Sequence, residues 1–504
     1  MAEPLLDISG VTKTYGRTVA NEDVEFQVDA GRIHAVLGEN GAGKSTLMKV
    51  IYGVTKPDAG TVNWEGQPVD IASPSEARRL GIGMVFQHFS LFETLTVTEN
   101  ISLAVPGNKA DLARRIREAS ARFGLDVEPD AHVHQLTVGE RQRIEILRCV
   151  LQEPKLIILD EPTSVLPPQG ILKLFETLKT LASEGIAVVF ISHKLDEIRA
   201  LCDSATIMRA GRVVGVVNPK EESAKSLTQL MIGQEVAAMS PRSSAKAGAD
   251  VMQVKAMSLE PENPYAPKLS NLSLTLKAGD ILGIAGVSGN GQGSLTRALA
   301  GEIRTQTDVI TLQDQPVGTL GPEARRRLGL HFIPEERLGR GAVPEHSLSE
   351  NTALTTFHSG LLSRGFLRLS KRRARAQQVI TRMDVRCSGP DAAATSLSGG
   401  NLQKFIVSRE MELAPKVLIA EQPTWGVDVG AAAAIRQRLL DLRDQGVAIL
   451  IVSEELEELM EICDRIQVMF RGQLSAPVGV GQTSIDHIGL AMAGEFDALE
   501  AAHA

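Results

Sequence analysis

The sequence predicts an α/β protein of two tandem domains, each a mostly parallel sheet covered by helices and carrying an inserted helical subdomain. Two observations predict it. The chain is written twice, and within each copy short apolar β-rich runs alternate with helical stretches. "AVLGENGAGKSTLMKVIYG" (35–53) aligns with "GIAGVSGNGQGSLTRALAG" (283–301) at an offset of 248, and "GIGMVFQ" (81–87) aligns with "GLHFIPE" (329–335) at the same offset. "LTVGERQR" (136–143) aligns with "LSGGNLQK" (397–404) at an offset of 261, as does "KLIILDEPTSVLP" (155–167) with "KVLIAEQPTWGVD" (416–428). "ISHKLDEIRALCD" and "VSEELEELMEICD" keep that second offset, so the second copy holds 13 additional residues between 335 and its "LSGGN".

A period near 250 residues is too long for one unit of a solenoid, and the copies therefore read as separate domains over 5–236 and 252–497. "AAMSPRSSAKAGADV" (237–251), small and polar with one proline, reads as the linker. In the first copy "RIHAVLG", "KLIILD" and "IAVVFIS" read as buried strands. Between about 88 and 135 the pattern turns helical, the expected place of the inserted subdomain.

Composition narrows the function. The chain has 504 residues, 43% hydrophobic and 23% charged, the balance of a soluble globular protein. A net charge of −8 offers no general field for nucleic acid, and the basic runs "ARRRLG" (324–329) and "SKRRARAQQ" (370–378) read as solvated helix faces. Cys149, Cys202, Cys387 and Cys463 lack metal-ligand spacing and read as free thiols. No apolar run approaches the ~18 residues of a membrane span, and "MAEPLLDISG" lacks the layout of a signal peptide. The expected location is the cytoplasm, unless a partner holds the chain at a membrane.

"GENGAGKST" (38–46) carries the strongest chemical signal. It fits the P-loop pattern, follows the strand "IHAVL" and precedes the helical "TLMKVIYG". Gly38, Asn40, Gly41, Ala42, Gly43, Lys44, Ser45 and Thr46 are the candidate nucleotide-binding residues. Glycines let backbone N–H groups curl around phosphates, and a helix N-terminus adds its positive dipole end. Lys44 is expected to reach the β- and γ-phosphates, and the Ser45 hydroxyl to bind Mg²⁺. "LIILDEP" supplies Asp160 for the Mg²⁺ shell and Glu161 to orient or deprotonate the attacking water.

In this order, the P-loop, "LSGGN", "LDEPT" and "ISH" resemble the ATP-binding cassette proteins, over nearly the whole chain and twice. The resemblance implies that Gln87 links Mg²⁺ or water to the helical subdomain. It also implies that His193 contacts the γ-phosphate and that Tyr15, in "VTKTYGR", stacks on adenine. A strand-ending His193 and a core Tyr15 are the alternatives. In that family two cassettes close head to tail, each site pairing one P-loop with the other copy's signature loop. One site then combines Lys44, Ser45, Asp160, Glu161 and His193 with Ser398, Gly399 and Gly400. The other has Gln292 for lysine, Gly293 for serine, Glu421 and Gln422 for Asp-Glu, and Glu454 for histidine. It faces Val138 and Glu140, the latter unfavourable to a polyphosphate unless its carboxylate turns away. Losing one such contact costs about 10²–10³ in rate, so the expectation is a single hydrolytic site.

The asymmetric pattern resembles the fused ATPase subunit of bacterial sugar and nucleoside importers. It implies ATP and Mg²⁺, two transmembrane permease subunits, and a periplasmic or lipoprotein substrate-binding protein. It implies a peripheral place on the cytoplasmic face of the inner membrane, with no nucleic acid partner and no direct contact with the transported substrate. "FQHF" (86–89) and Pro334 in "IPEER" favour the nucleoside (basic membrane lipoprotein-associated) branch. The ribose and galactose branch would show "HQELNL" and "SEDRK". An exporter ATPase and a cytosolic tandem cassette acting on ribosomes or nucleic acid are the more distant readings.

Overall fold

The computed structural model describes residues 3–16, 18–39, 41–86, 90–164, 166–192, 194–232, 248–261, 266–356, 360–363 and 366–500. The chain divides into two compact units, Met1–Val236 and Ala237–Ala504. Most of the expected linker, 237–251, lies outside the described residues, but its last two, Asp250 and Val251, belong to the strand Asp250–Leu259. At the other end the helix Asp497–Glu500 runs past the expected domain end at 497.

In the first unit one sheet runs in the spatial order Ile82–Val85, Leu156–Asp160, Ala187–Ile191, Ile33–Leu37, Ser204–Arg209, Arg212–Val217. All neighbours are parallel except the last pair. Ile33–Leu37 and Ala187–Ile191 are buried at every residue, as apolar strands covered on both faces must be. A second, antiparallel sheet (Thr18–Val28, Leu6–Tyr15, Ala59–Trp64, Gln67–Pro68) was not anticipated. Its signal is the strict alternation of Val24, Phe26 and Val28 inward with Glu25 and Gln27 outward. Leu6, Ile8, Phe26, Val36, Leu47, Ile158 and Val189 share the core between the two sheets, into which the helix Lys44–Ile51 also packs. The stretch expected to be helical holds Val97–Ser102 and Lys109–Phe123 and continues into Val138–Val150.

The second unit repeats the plan. Its main sheet runs Leu330–Ile333, Val417–Glu421, Ala448–Ser453, Ile281–Ala285, Arg465–Phe470, the four pairings all parallel. An antiparallel sheet of Leu269–Lys277, Asp250–Leu259, Ile310–Leu312 and Gln315–Pro316 accompanies it. The structure divides the 13 additional residues into two places. Thr96 with Glu99, and Ser347 with Glu350, form matching capping boxes at the starts of Val97–Ser102 and Leu348–Thr356. These are 251 positions apart, so three residues are inserted before Ser347 and ten after it. The hairpin Leu362–Ser363 with Phe366–Leu367 lies among the ten.

The basic run 324–329 corrects its expectation. Arg325, on the helix Pro322–Arg327, is fully buried rather than solvated. Its guanidinium donates to the carbonyls of Ala298 (2.6 Å), Leu299 (2.7 Å), Gly318 (3.1 Å) and Leu320 (3.0 Å). Arg326 pairs with the buried Glu410 at 2.6 Å, and of the three arginines only Arg327 is more than half exposed. All four cysteines are free thiols.

Candidate functional site

The P-loop of the first unit leaves the buried strand Ile33–Leu37 and enters the helix Lys44–Ile51. Its glycines are required by space as well as by backbone angle. Gly38 has φ 155° and a Cβ there would lie 2.5 Å from the Met208 carbonyl oxygen. Gly43 has φ 99° and a Cβ would lie 2.5 Å from the Ala20 carbonyl oxygen. Gly43 is also the N-cap and supplies no side-chain bond, so the first N–H groups of the helix are left to a ligand or to water. Gly41 and Ser45 are exposed, Thr46 is half-buried and Ala42 is buried. Asn40 lies outside the described residues. The cradle of open N–H groups, small residues and one lysine fits a polyphosphate.

Lys44 is buried, 7% exposed, and its ammonium folds back on the loop, donating to the carbonyls of Gly38 (2.5 Å) and Glu39 (3.2 Å). Burial pulls its pKa below the ordinary lysine value, opposed by the charges of Glu161, Asp160 and Glu39. Asp160 ends the strand Leu156–Asp160, and burial together with the neighbouring Glu161 raises its pKa. Glu161 follows in the left-handed region at φ 47°, its N–H held by the Ile191 carbonyl at 3.0 Å. That turn ends the strand between two adjacent carboxylates. A divalent cation would relieve their mutual repulsion, and the hard oxygen donors of Asp160 and Ser45 suit Mg²⁺.

Tyr15 closes the strand Leu6–Tyr15 and is 48% exposed, with the Lys13 ammonium 5.7 Å from its ring, so it is no core tyrosine. Gln87 and His193 lie outside the described residues.

The same place in the second unit is a cavity of about 410 Å³ lined by Gly286, Ser288, Gln292, Glu335, Glu421, Gln422 and Glu454, among others. Gln292 repeats the fold-back of Lys44 without its charge, donating to the Val287 carbonyl at 2.9 Å. Glu421 accepts from the Thr296 hydroxyl and from the Glu335 N–H (3.1 Å), with Arg340 at 3.8 Å. Thr296 stands where the first copy has Met48. Glu454 is pushed up to about 7 by burial and by Glu335. The cavity has thus lost the lysine and gained Glu335 and Glu454 where the first copy has Gln87 and His193, which opposes a polyphosphate.

The two signature loops differ in a second way. In the first unit Glu140 is engaged at the start of its own helix. Its carboxylate accepts from the Thr137 N–H and hydroxyl, both at 2.7 Å, completing a capping box. In the second unit Ser398 caps the helix Gly399–Met411 without any side-chain capping bond, and its hydroxyl accepts from Asn401 Nδ2 at 2.9 Å. Ser398 and Gly399 are exposed.

The ABC transporter family profile matches residues 21–164 and again 269–425. The chain belongs to the ABC transporter family. It is a tandem ABC ATPase that binds and hydrolyses ATP. It is 40% identical over 499 residues to the nucleoside import ATP-binding protein NupA of Lactococcus lactis subsp. cremoris, covering 98% of each chain. It is 38% identical to the guanosine import ATP-binding protein NupO of Bacillus subtilis, again over 98% of each. It is 37% identical to the glucose import ATP-binding protein TsgD13 of Haloferax volcanii, covering 100% of this chain and 98% of that one.

Of the predicted residues, the ABC ATPase structure brings Lys44, Asp160 and Glu161 together at the first P-loop. Sequence reasoning missed Thr296 and Arg340, which occupy Glu421 in the second cavity. A hydroxyl in place of Met48 was the available signal for Thr296; Arg340 sits in the loop holding three of the inserted residues and had no counterpart to compare.

Proposed function

We propose that this chain powers a bacterial nucleoside importer, with hydrolysis confined to the first P-loop. The observation that carries the single-site reading is the loss, in the second copy, of the lysine and of the second strand-end carboxylate. Lys44, Asp160 and Glu161 have as counterparts Gln292, Glu421 and Gln422, and Glu454 adds a further carboxyl to the second cavity. In the first copy Lys44, the helix N-terminus and Gly38–Thr46 hold the phosphates, and Tyr15 stacks on the base. Ser45, Asp160 and Gln87 serve Mg²⁺, which when bound neutralises developing phosphate charge. Glu161 orients the attacking water, with His193 beside the terminal phosphate. Ser398, Gly399 and Gly400 contribute to the same turnover as signature residues.

Import is supported by the relatives, whose names specify nucleoside, guanosine and glucose import. The two nucleoside proteins support a nucleoside or purine cargo; the glucose protein, nearly as similar, supports a sugar importer as the second reading. Among the described residues no helix is long and apolar enough to cross a membrane. In this reading the chain acts with two permease subunits and a substrate-binding protein, at the cytoplasmic face of the inner membrane and without touching the cargo.

The test is uptake of labelled nucleosides and of pentoses and hexoses by cells lacking the gene. Nucleoside uptake restored by wild type but not by Glu161→Gln supports the proposal. Restoration of sugar uptake alone moves the chain to the sugar importers and leaves the ATPase reading standing. A defect in neither overturns the importer reading.

A further inference from the structure

The loop after Leu330–Ile333 in the second unit carries one side chain whose contacts lead away from its own cavity. Arg337 Nε donates to Gln403 Oε1 at 3.1 Å, and a second guanidinium nitrogen donates to the Trp425 carbonyl. Its guanidinium lies 4.8 Å from the centroid of the Trp425 ring. It also touches both small residues that frame this corner. A Cβ on Gly399 would lie 2.7 Å from Arg337 Nη1, and one on Gly426, at φ 66°, would lie 2.6 Å from Nη2. One planar fork thus reaches the signature loop, the signature helix through Gln403, and the turn after Gln422.

The loop is itself fixed at both ends. Glu335 N–H binds Glu421, and the Ala342 N–H returns to the Arg337 carbonyl at 2.7 Å. Arg409 holds the Gly341 carbonyl at 2.8 Å. In the first copy the corresponding loop, 86–95, contains no arginine, and Trp425 aligns with Ser164, whose hydroxyl instead donates to the Glu161 carbonyl. The first copy's chain therefore offers neither the guanidinium nor the ring of this brace.

We propose that Arg337 is a positioning residue for ATP hydrolysis: it braces Ser398–Gly400 and the turn at Trp425–Gly426 in the geometry that turnover needs. The arginine sits in the copy whose signature loop keeps Ser-Gly-Gly while its nucleotide cavity has lost lysine. This inference rests on the reading that Ser398–Gly400 take part in turnover, and misplacing such a group by about 1 Å costs on the order of 100-fold.

The test uses the full chain in a Trp64→Phe background, which leaves Trp425 as the only tryptophan. Arg337→Ala, Arg337→Lys and Ser398→Arg are compared for ATP affinity, kcat, melting temperature and Trp425 emission. The expected result is a kcat lowered on the order of 10–100-fold by Arg337→Ala, with ATP affinity and melting temperature retained. Trp425 emission shifts, and Arg337→Lys recovers part of the rate. Full turnover in Arg337→Ala alongside loss in Ser398→Arg overturns the inference and leaves the signature-loop reading standing. Full turnover in Ser398→Arg overturns that reading itself. Parallel loss of melting temperature, affinity and kcat, without rescue by lysine, reduces Arg337 to a structural residue and also overturns the inference.

Discussion

Replacing Glu454 by glutamine should stabilise the second unit at high pH and leave it nearly unchanged at low pH. Glu454 follows the strand Ala448–Ser453 and lines the second cavity. Ser288 hydrogen-bonds it through side chain and backbone, Glu335 and Glu455 repel it, and the cations Arg337 and Arg340 act on Glu335 and Glu421. Its carboxyl is raised from 4.5 to about 7, so the folded state binds this proton more tightly than the unfolded chain. The stabilisation from the bound proton is complete below the unfolded value near 4.5 and is lost as pH rises through about 7. At 1.36 kcal/mol per pKa unit the full difference is about 3 kcal/mol. Urea unfolding between pH 5 and pH 8 in the Trp64→Phe background, followed by Trp425 fluorescence, measures it. The variant should gain about 2–3 kcal/mol over wild type across that range, because glutamine keeps the neutral shape without the charge. Parallel pH curves for the two proteins would refute the placement of an uncompensated carboxyl in this cavity.

Three further outcomes follow from the same geometry. Glu161→Gln should lower phosphate release by about 10²–10³ or more, whereas Gln422→Glu should not raise it, because Lys44 and Ser45 have no equivalents beside Gln422. Gly43→Ala places a Cβ 2.5 Å from a carbonyl oxygen at φ 99°; calorimetry should show the first unit weakened by about 1–3 kcal/mol. Arg325→Met strands four carbonyls that a buried guanidinium now satisfies, and should weaken the second unit by about 3 kcal/mol or more in urea titrations.

The parallel sheets were legible because their strands are short apolar runs bounded by turns, and the P-loop because its glycines, lysine and hydroxyl have fixed spacing. The antiparallel sheets were missed where polar residues interrupt the pattern. The stretches Val24–Val28 and Leu272–Lys277 alternate strictly, but each is only part of its strand, and Asn21 is buried inside the first of those strands. Arg325 was misread because a run of like charges looks solvated in one dimension. Only folding brings Ala298, Leu299, Gly318 and Leu320 around it. Glu140 was legible as a threat to a phosphate but not as a capping residue, the role its bond to Thr137 gives it. Thr296 meets Glu421 across 125 residues of chain, a pairing that no local pattern announces.

The backbone of the second copy gives its own account of what that copy is for. Gln422 holds φ 45°, nearly the 47° of Glu161, although left-handed backbone at such a residue costs about 1 kcal/mol or more. If that strain served only to aim a water-activating carboxylate, an amide would gain nothing from it. The turn that the strain opens is what both copies share. Gln422 N–H binds the Val452 carbonyl at 2.8 Å, as Glu161 N–H binds that of Ile191 at 3.0 Å. The threonines that follow, Thr163 and Thr424, each donate to a buried glutamate at 2.6 Å. In the second copy that turn delivers Trp425 and Gly426 to Arg337, beside Gly399. The strain is therefore accounted for by the residues after Gln422 rather than by Gln422 itself. The copy has given up the groups that grip phosphate and kept, at an energetic cost, the backbone that sets its signature corner.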